Sequence, residues 1–270
     1  MMAAKGMGRE GTERLSVCIV AYRDEEDVLY ALKTLDRYTN PEITKTVYVV
    51  DNSEESESRQ EAFRKRIECF PDAVYRKTEE NVGYGRGQNT VLEELHSEYH
   101  CIMNPDVAFC QDAFSGILSY MDRHPSVGMV IPRILNENGK LQQAYRKDPT
   151  VFDMFIRMFC KGIFPKREAD HSLQQEDYTR PFPVPFAQGS FLVIRTELFQ
   201  KIGGFDGRFF LYMEDADLCR RVNREAELMY LPDTAVIHRW QRGSHRDLRL
   251  LRIHLRSMKA YFDKWGWKWH

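Results

Sequence analysis

The sequence predicts an α/β fold with a mostly parallel central sheet and helices on both faces. Three observations carry this. Strand-length apolar runs alternate with helical-period segments in βαβα order from residue 15 onward. The strand runs are continuously apolar rather than alternating, as expected of strands covered on both sides. Three successive runs end abruptly in polar residues, and open α/β sheets place their ligand crevice outside the carboxyl ends of the strands.

The elements follow in order. LSVCIVAY (15–22) is a β-branched strand run, and EEDVLYALKTLDRY (25–38) repeats Val28, Leu29, Leu32 and Leu35 at helical spacing. TKTVYVVDNS (44–53) is a second strand ending at Asp51. ESRQEAFRKRIECF (57–70) is a helix closed by Pro71. A short strand near 73–75 leads to the Gly-rich NVGYGRGQN (81–89), and VLEELHSEY (91–99) reads as helix. HCIMNPDV (100–107) is a third buried strand with a polar end. Residues 112–125 read as helix, 126–135 as strand and 136–143 as a turn with a hairpin return. PTVFDMFIRMFCKGI (149–163) is rich in Phe and Met and reads as a core helix or a second, lipid-facing contact, with core favoured because these residue types usually fill gaps. Residues 164–183 are polar, contain prolines and read as a loop. Residues 188–205 give strand, helix and a Gly-Gly turn, and a further helix starts after Tyr212 or Met213. One or two short strands lie in 227–240, and 245–264 is a basic helix followed by WGWKWH. The division is a disordered leader at 1–14, one domain at 15–245 and a basic aromatic tail at 246–270.

Composition excludes several classes. The 270 residues are 43% hydrophobic and 29% charged, an ordinary globular balance. A net charge of -1 excludes bulk polyanion binding, and the sequence gives nucleic acid no motif support. The apolar runs are too short to span a bilayer, and no secretory signal opens the chain. Six cysteines without a CxxC pair argue against a zinc ribbon and for reduced thiols in the cytoplasm.

Four polar clusters could carry chemistry. Asp51-Asn52-Ser53 can bond a nucleobase or ribose edge, but also suits a cap or turn. The glycines of 81–89 would let the backbone approach a ligand closely. Their spacing is neither GxGxxG nor a P-loop, and a flexible turn fits equally. Asp106 in Asn104-Pro105-Asp106 is placed to hold a hard divalent cation, or to cap the next helix. Glu214-Asp215 opens a helix after the apolar FFLYM, so burial would favour the protonated forms and tune an acid toward general-base work. Acids in a first turn also simply complement the helix dipole.

Taken in order, VAY (20–22), VDNS (50–53), NVGYGRGQN, NPDV (104–107), GGFDGRFFLYMEDADLCRR (203–221) and His238 with the following RWQRGS resemble a family 2 glycosyltransferase. The flavour is that of the rhamnosyltransferase-like branch. The resemblance implies the GT-A fold, a Rossmann-like mostly parallel sheet. It implies that Asp51, with Ala21 and Tyr22 beside it, recognises the donor base. Asn81, Gly83, Arg86, Asn89 and Asn104 would line the nucleotide and donor-sugar site. Asp106 stands where the family has the metal acid of its DxD motif, with Asn104 in place of the first acid; His238 would complete the site for Mg2+ or Mn2+. Arg242 would help neutralise the leaving diphosphate. Glu214-Asp215 matches the family's ED pair, with Asp215 as the base.

The resemblance thus implies a metal-assisted, inverting transfer from a nucleotide-diphospho-sugar, expected to be dTDP-L-rhamnose. The acceptor would be a saccharide or lipid-linked saccharide in cell-surface polysaccharide synthesis. A UDP-hexose donor is the rival within the class, and a non-catalytic nucleotide-sugar or glycan-binding protein the rival outside it. The Arg- and Trp-rich tail suits an anionic membrane surface, hence a cytoplasmic protein peripheral at the inner face of the membrane. It equally suits a solvated helix packed through its leucines.

Overall fold

The computed structural model describes residues 13–160, 162–239 and 248–270. The first strand, β1 (Leu15–Ala21), is buried at every position and lies inside the sheet with a strand on either side. Helix α1 (Glu25–Tyr38) buries Val28, Leu32 and Leu35, the stripe its spacing predicts. Then follow β2 (Lys45–Asp51), α2 (Glu57–Ile67), β3 (Ala73–Lys77) and the short α3 (Tyr84–Asn89). Strands β4 (Tyr99–Met103) and β5 (Val107–Ala108), α4 (Phe114–Arg123) and β6 (Val127–Leu135) complete the first half.

The second half contributes β7 (Tyr145–Arg146), α5 (Val151–Phe159), α6 (Pro165–His171), β8 (Phe182–Pro183) and β9 (Phe186–Ala187). Next are β10 (Phe191–Arg195), α7 (Thr196–Lys201), α8 (Glu214–Val222), β11 (Glu227–His238) and α9 (Leu248–Trp265). Among the described residues the main sheet runs β3-β2-β1-β4-β10-β6-β11-β5, with β8 also on β11; β7 and β9 form a separate ribbon. Neighbours β3, β2, β1 and β4 are parallel, as are β6 and β11. Strand β10 is inserted antiparallel between β4 and β6. Its first residue, Phe191, therefore pairs with Met103, the last of β4, so the chain entering β10 crosses the carboxyl end of the parallel strands.

Several expectations change. Residues 91–99 form only a 3-10 turn at Leu92–Glu94 before β4. Ser97 prevents a longer helix: its hydroxyl bonds the Tyr99 carbonyl and meets Ser16 and Thr196. The 164–183 loop contains α6, begun by Pro165 at its first position, where a missing N–H is harmless. The Phe/Met segment is core on one side only: α5 buries Met154 and Ile156 and exposes Phe155 and Phe159. Residues 227–238 form one strand, broken in register between Leu231 and Ala235. Of the leader, 1–12 lie outside the described residues, while Arg14 pairs with Glu98 and Asp122.

Helix α9 packs on the domain through Ser257, Tyr261 and Phe262. Its end is locked electrostatically. Lys264 Nζ lies 2.7 Å from Asp206 and 2.6 Å from Asp217, and the Trp265 indole N–H donates to Asp217 at 2.8 Å. Arg221 closes the set at 2.8 Å from the fully buried Asp217. The third acid of the Glu-Asp-Ala-Asp run is thereby committed to structure.

Candidate functional site

The carboxyl ends of β1 and β2 are tied into one lip. Asp51 is buried; its Oδ1 accepts the Ser53 N–H at 2.8 Å and its Oδ2 the Tyr75 hydroxyl at 2.8 Å. The Ala21 carbonyl accepts the Asn52 N–H at 2.9 Å. Arg23 adopts φ 63° and donates its N–H to Ser53 Oγ, while Tyr22 N–H donates to Asp24. The Tyr22 ring stands out from this lip, 42% exposed. The turn chemistry of Asp51-Asn52-Ser53 is present, and it holds the carboxylate at the sheet's edge.

The Gly-rich segment approaches its own chain rather than an open ligand space. Gly83 has φ 85°, and a Cβ there would lie 2.2 Å from the Phe210 carbonyl oxygen. That oxygen accepts the Tyr84 N–H at 3.0 Å. Asn81 Oδ1 accepts the Gly83 N–H, Arg86 Nε donates to the Gly207 carbonyl at 2.8 Å, and Asn89 clamps Phe205 through both N–H and carbonyl. Two side chains expected at the donor, those of Arg86 and Asn89, thus fasten the 203–210 loop, which leads directly into Glu214-Asp215.

At the end of β4, the Asn104 N–H donates to the Ser190 carbonyl at 2.9 Å. Asp106 Oδ1 is buried without a hydrogen-bond partner and lies 3.3 Å from His238 Nε2. Gln142 fixes a proton on one ring nitrogen of the histidine. Its amide nitrogen donates to the His238 carbonyl at 2.7 Å, so its Oε1, 3.0 Å from His238 Nδ1, must accept. Nδ1 therefore carries a proton, and Nε2 lies 3.3 Å from a carboxylate oxygen that has no hydrogen-bond partner. Such a facing pair calls for a proton or a cation between them. The spacing matches the roughly 3 Å edge of a coordination shell with bonds of about 2.1 Å. Asp106 and His238 thus fit a divalent ion as two of its ligands, although no three His, Cys, Asp or Glu side chains converge among the described residues. Sequence reasoning missed Asp24, which burial and the charges of Asp27 and Asp106 push up to about 6. Arg242 lies outside the described residues.

The acids of α8 are delivered by a strained turn: Tyr212 and Met213 both take left-handed φ, 70° and 67°. Glu214 is buried, its Oε2 has no partner, and burial with the neighbouring Asp215 charge raises its pKa. Asp215 is only half-buried. Its Oδ2 accepts the Gly189 N–H at 3.2 Å and its Oδ1 the Ala216 N–H at 2.8 Å. Burial raises its pKa, opposed by these N–H groups and by Arg157 and Arg146. Gly189 and Ser190 link the two centres: one bonds Asp215, the other Asn104. Asp215 and Asp106 therefore share the same end of the sheet. Gln142, Arg146 and Arg157 were not singled out in the sequence; only tertiary pairing reveals them.

Comparison with known proteins agrees with this geometry. The family model of glycosyl transferase family 2 matches residues 16–203. The N-acetylglucosaminyl-diphospho-decaprenol L-rhamnosyltransferase of Mycobacterium tuberculosis is 26% identical over 249 residues, 87% of this chain and 79% of the relative. The crystal structure of GalNAc-T7 with UDP, GalNAc and Mn2+ superposes with a TM-score of 0.69 at 14% identity, covering 95% of this chain. The chain spans about half of it, 49%. The mannosyltransferase PcManGT from Pyrobaculum calidifontis, with GDP-Man and Mn2+, gives 0.63 at 16% identity over 94% of this chain and 65% of the other. Both structural likenesses concern the GT-A fold.

Proposed function

Because the chain belongs to glycosyltransferase family 2, we propose that it is an inverting hexosyltransferase whose base is Asp215. The donor is a nucleotide-diphospho-sugar, dTDP-L-rhamnose by likeness to a relative named as an L-rhamnosyltransferase; a UDP-hexose is the alternative. The acceptor is a saccharide, lipid-linked as in that relative's name, and the product belongs to cell-surface polysaccharide synthesis. One observation supports the catalytic reading above all: an accessible carboxylate is fixed by Gly189 on the same strand-end crevice as the Asp106–His238 pair.

The chemistry follows from the layout. Asp51 and the Tyr22 lip are suited to the base and ribose. Asp106 and His238 would hold Mg2+ or Mn2+, which when bound offsets the charge building on the departing diphosphate. Asp215 takes the proton of the attacking hydroxyl. Two N–H groups hold its carboxylate in position, so little reorganisation is needed. A single displacement needs one base and no second carboxylate nucleophile. The buried Glu214 stays protonated more readily than an ordinary glutamate and is shielded from the substrate.

The test is Asp215→Asn. It should lower turnover about 10²–10⁴-fold while donor binding survives. Near-normal transfer by this variant would remove Asp215 from the mechanism.

Among the described residues no helix is long and apolar enough to cross a membrane. A peripheral inner-face association is supported by exposed Phe155, Phe159, Ile163 and Phe164 and by Trp269, whose carbonyl accepts the Phe152 N–H of α5. Phe155→Ser with Phe159→Ser should weaken cosedimentation with anionic vesicles; unchanged sedimentation would count against this face.

A further inference from the structure

Two arginines near Asp215 have no assigned task. Arg146 ends β7, whose ribbon with β9 packs beside α8; Cys219 of α8 meets the Ala187 carbonyl of β9 at 3.4 Å. Arg157 lies on α5 between Asp153, Met154 and Ile156, all buried, so it is on the face the helix turns to the protein. Yet Arg157 is exposed and Arg146 half-buried.

Neither arginine is neutralised. Their neighbours are: Arg167 pairs with Asp153 at 2.6 Å, Arg221 with Asp217 at 2.8 Å, and Arg220 approaches Asp148 at 3.9 Å. Among the described residues no carboxylate lies within ion-pair distance of Arg146 or Arg157. Arg146 donates to the Gln143 carbonyl at 3.2 Å. Both guanidiniums stay in electrostatic reach of Asp215. Burial first, and then the charge of Arg157, lower Arg146 to about 9, with the charge of Asp215 opposing them. His171 and His254 are also pushed toward their neutral forms, by burial first; Arg157 adds to this at both and Arg146 at His171, where Asp153 opposes it.

Two guanidinium groups, one exposed and one half-buried, with no carboxylate in ion-pair distance suit a phosphate, whose oxygens match their planar donor forks. We propose that Arg146 and Arg157 form a phosphate-binding subsite beside Asp215 that takes the phosphate joining the acceptor sugar to its lipid carrier. This rests on the lipid-linked acceptor reading above. The donor diphosphate belongs to the opposite side, at Asp106 and His238, with the Gly189-Ser190 turn between. An acceptor phosphate on the arginines would bring its sugar hydroxyl over the Asp215 carboxylate. The outward face of the same helix carries Phe155 and Phe159, an apolar surface for the carrier.

The test compares wild type with Arg157→Gln, Arg146→Gln and the conservative Arg157→Lys. Calorimetric titration uses inorganic pyrophosphate, farnesyl diphosphate, and UDP or dTDP with Mn2+. Arg157→Gln should weaken pyrophosphate and farnesyl diphosphate about 10–100-fold, with partial rescue in Arg157→Lys. Nucleoside diphosphate affinity should move less than about twofold. The preference in kcat/KM for a diphosphate-linked acceptor over a neutral glycoside of the same sugar should fall about tenfold or more. Unchanged pyrophosphate and farnesyl diphosphate binding in both glutamine variants, or none in wild type, overturns the subsite. A parallel loss of nucleoside diphosphate binding overturns the acceptor assignment. If wild type transfers to no acceptor, the function reading fails, but the titrations still decide the subsite.

Discussion

Gly83→Ala tests whether the Gly-rich segment exists to meet the chain itself. The backbone at Gly83 has φ 85° and ψ 175°, a region costing a side chain about 1–3 kcal/mol. The new Cβ would also stand 2.2 Å from the Phe210 carbonyl oxygen. One strand must withdraw, and the Tyr84 N–H bond to that oxygen, now 3.0 Å, is lost at a further cost of about 1 kcal/mol. The sum is about 2–4 kcal/mol before any steric cost. Gly139 supplies the control. Its φ is 72°, but nothing lies within 4 Å of the place a methyl group would take, so Gly139→Ala should cost only about 1 kcal/mol. In urea, with a slope near 3 kcal/mol/M, the midpoints should fall by about 1 M and about 0.3 M. Transfer should separate the two further, because Phe210 leads through Tyr212 and Met213 to Asp215. A displacement of about 1 Å there can cost about 10²-fold in turnover. Equal midpoints for the two variants, with wild-type turnover in Gly83→Ala, would refute the argument.

Glu214→Gln should flatten the alkaline side of the stability profile. The folded state keeps the Glu214 proton more tightly than the unfolded chain, so wild-type stability falls as pH climbs from 4.5 through the raised folded value. Glutamine has no such slope; thermal melts at successive pH values that fall in parallel for both proteins would contradict this. Because burial raises Asp215 and the base must be ionised, turnover should rise with pH along a limb lying above the ordinary 3.8; a limb at or below that value would contradict it. Asp106→Ala or EDTA should lower transfer, with nucleoside diphosphate binding in Mn2+ weakened about tenfold by the substitution; indifference to both would remove the metal from the reaction.

The first half of the fold was legible because its signals are local. The runs at 15–22 and 44–53 and the leucine spacing of α1 need no partner to be recognised. Pairing was not legible. Nothing in FLVIR announces that β10 enters the sheet antiparallel, yet that reversal brings Gly189 and Ser190 across the strand ends. The acids were visible as residue types: Asp106 at a strand end, and Glu214-Asp215 after an apolar stretch. Their settings were not. Gln142 fell in an apparent hairpin, and its grip on His238 spans 96 positions in sequence. The glycines of 83–87 carried a signal whose neighbour was not legible, since close approach to a ligand and to one's own chain demand the same residue.

The site's charge layout explains why its two halves need the inserted strand. An acceptor base must remain ionised beside a donor that brings two phosphates. Placed directly against Asp106, Asp215 would compete for the divalent ion proposed there. The start of β10 prevents this. Ser190 engages Asn104 on one side, Gly189 engages Asp215 on the other, and both do so through backbone groups that carry no net charge. Gly189 also leaves room: a Cβ would lie 3.1 Å from Asp215 Cβ, in the space beside the carboxylate. On the far flank, Arg146 and Arg157 favour ionised Asp215 without forming an ion pair that would occupy its oxygens. As the proposed base, Asp215 is thus oriented and still available, a combination that neither a fully buried nor a salt-bridged carboxylate can supply.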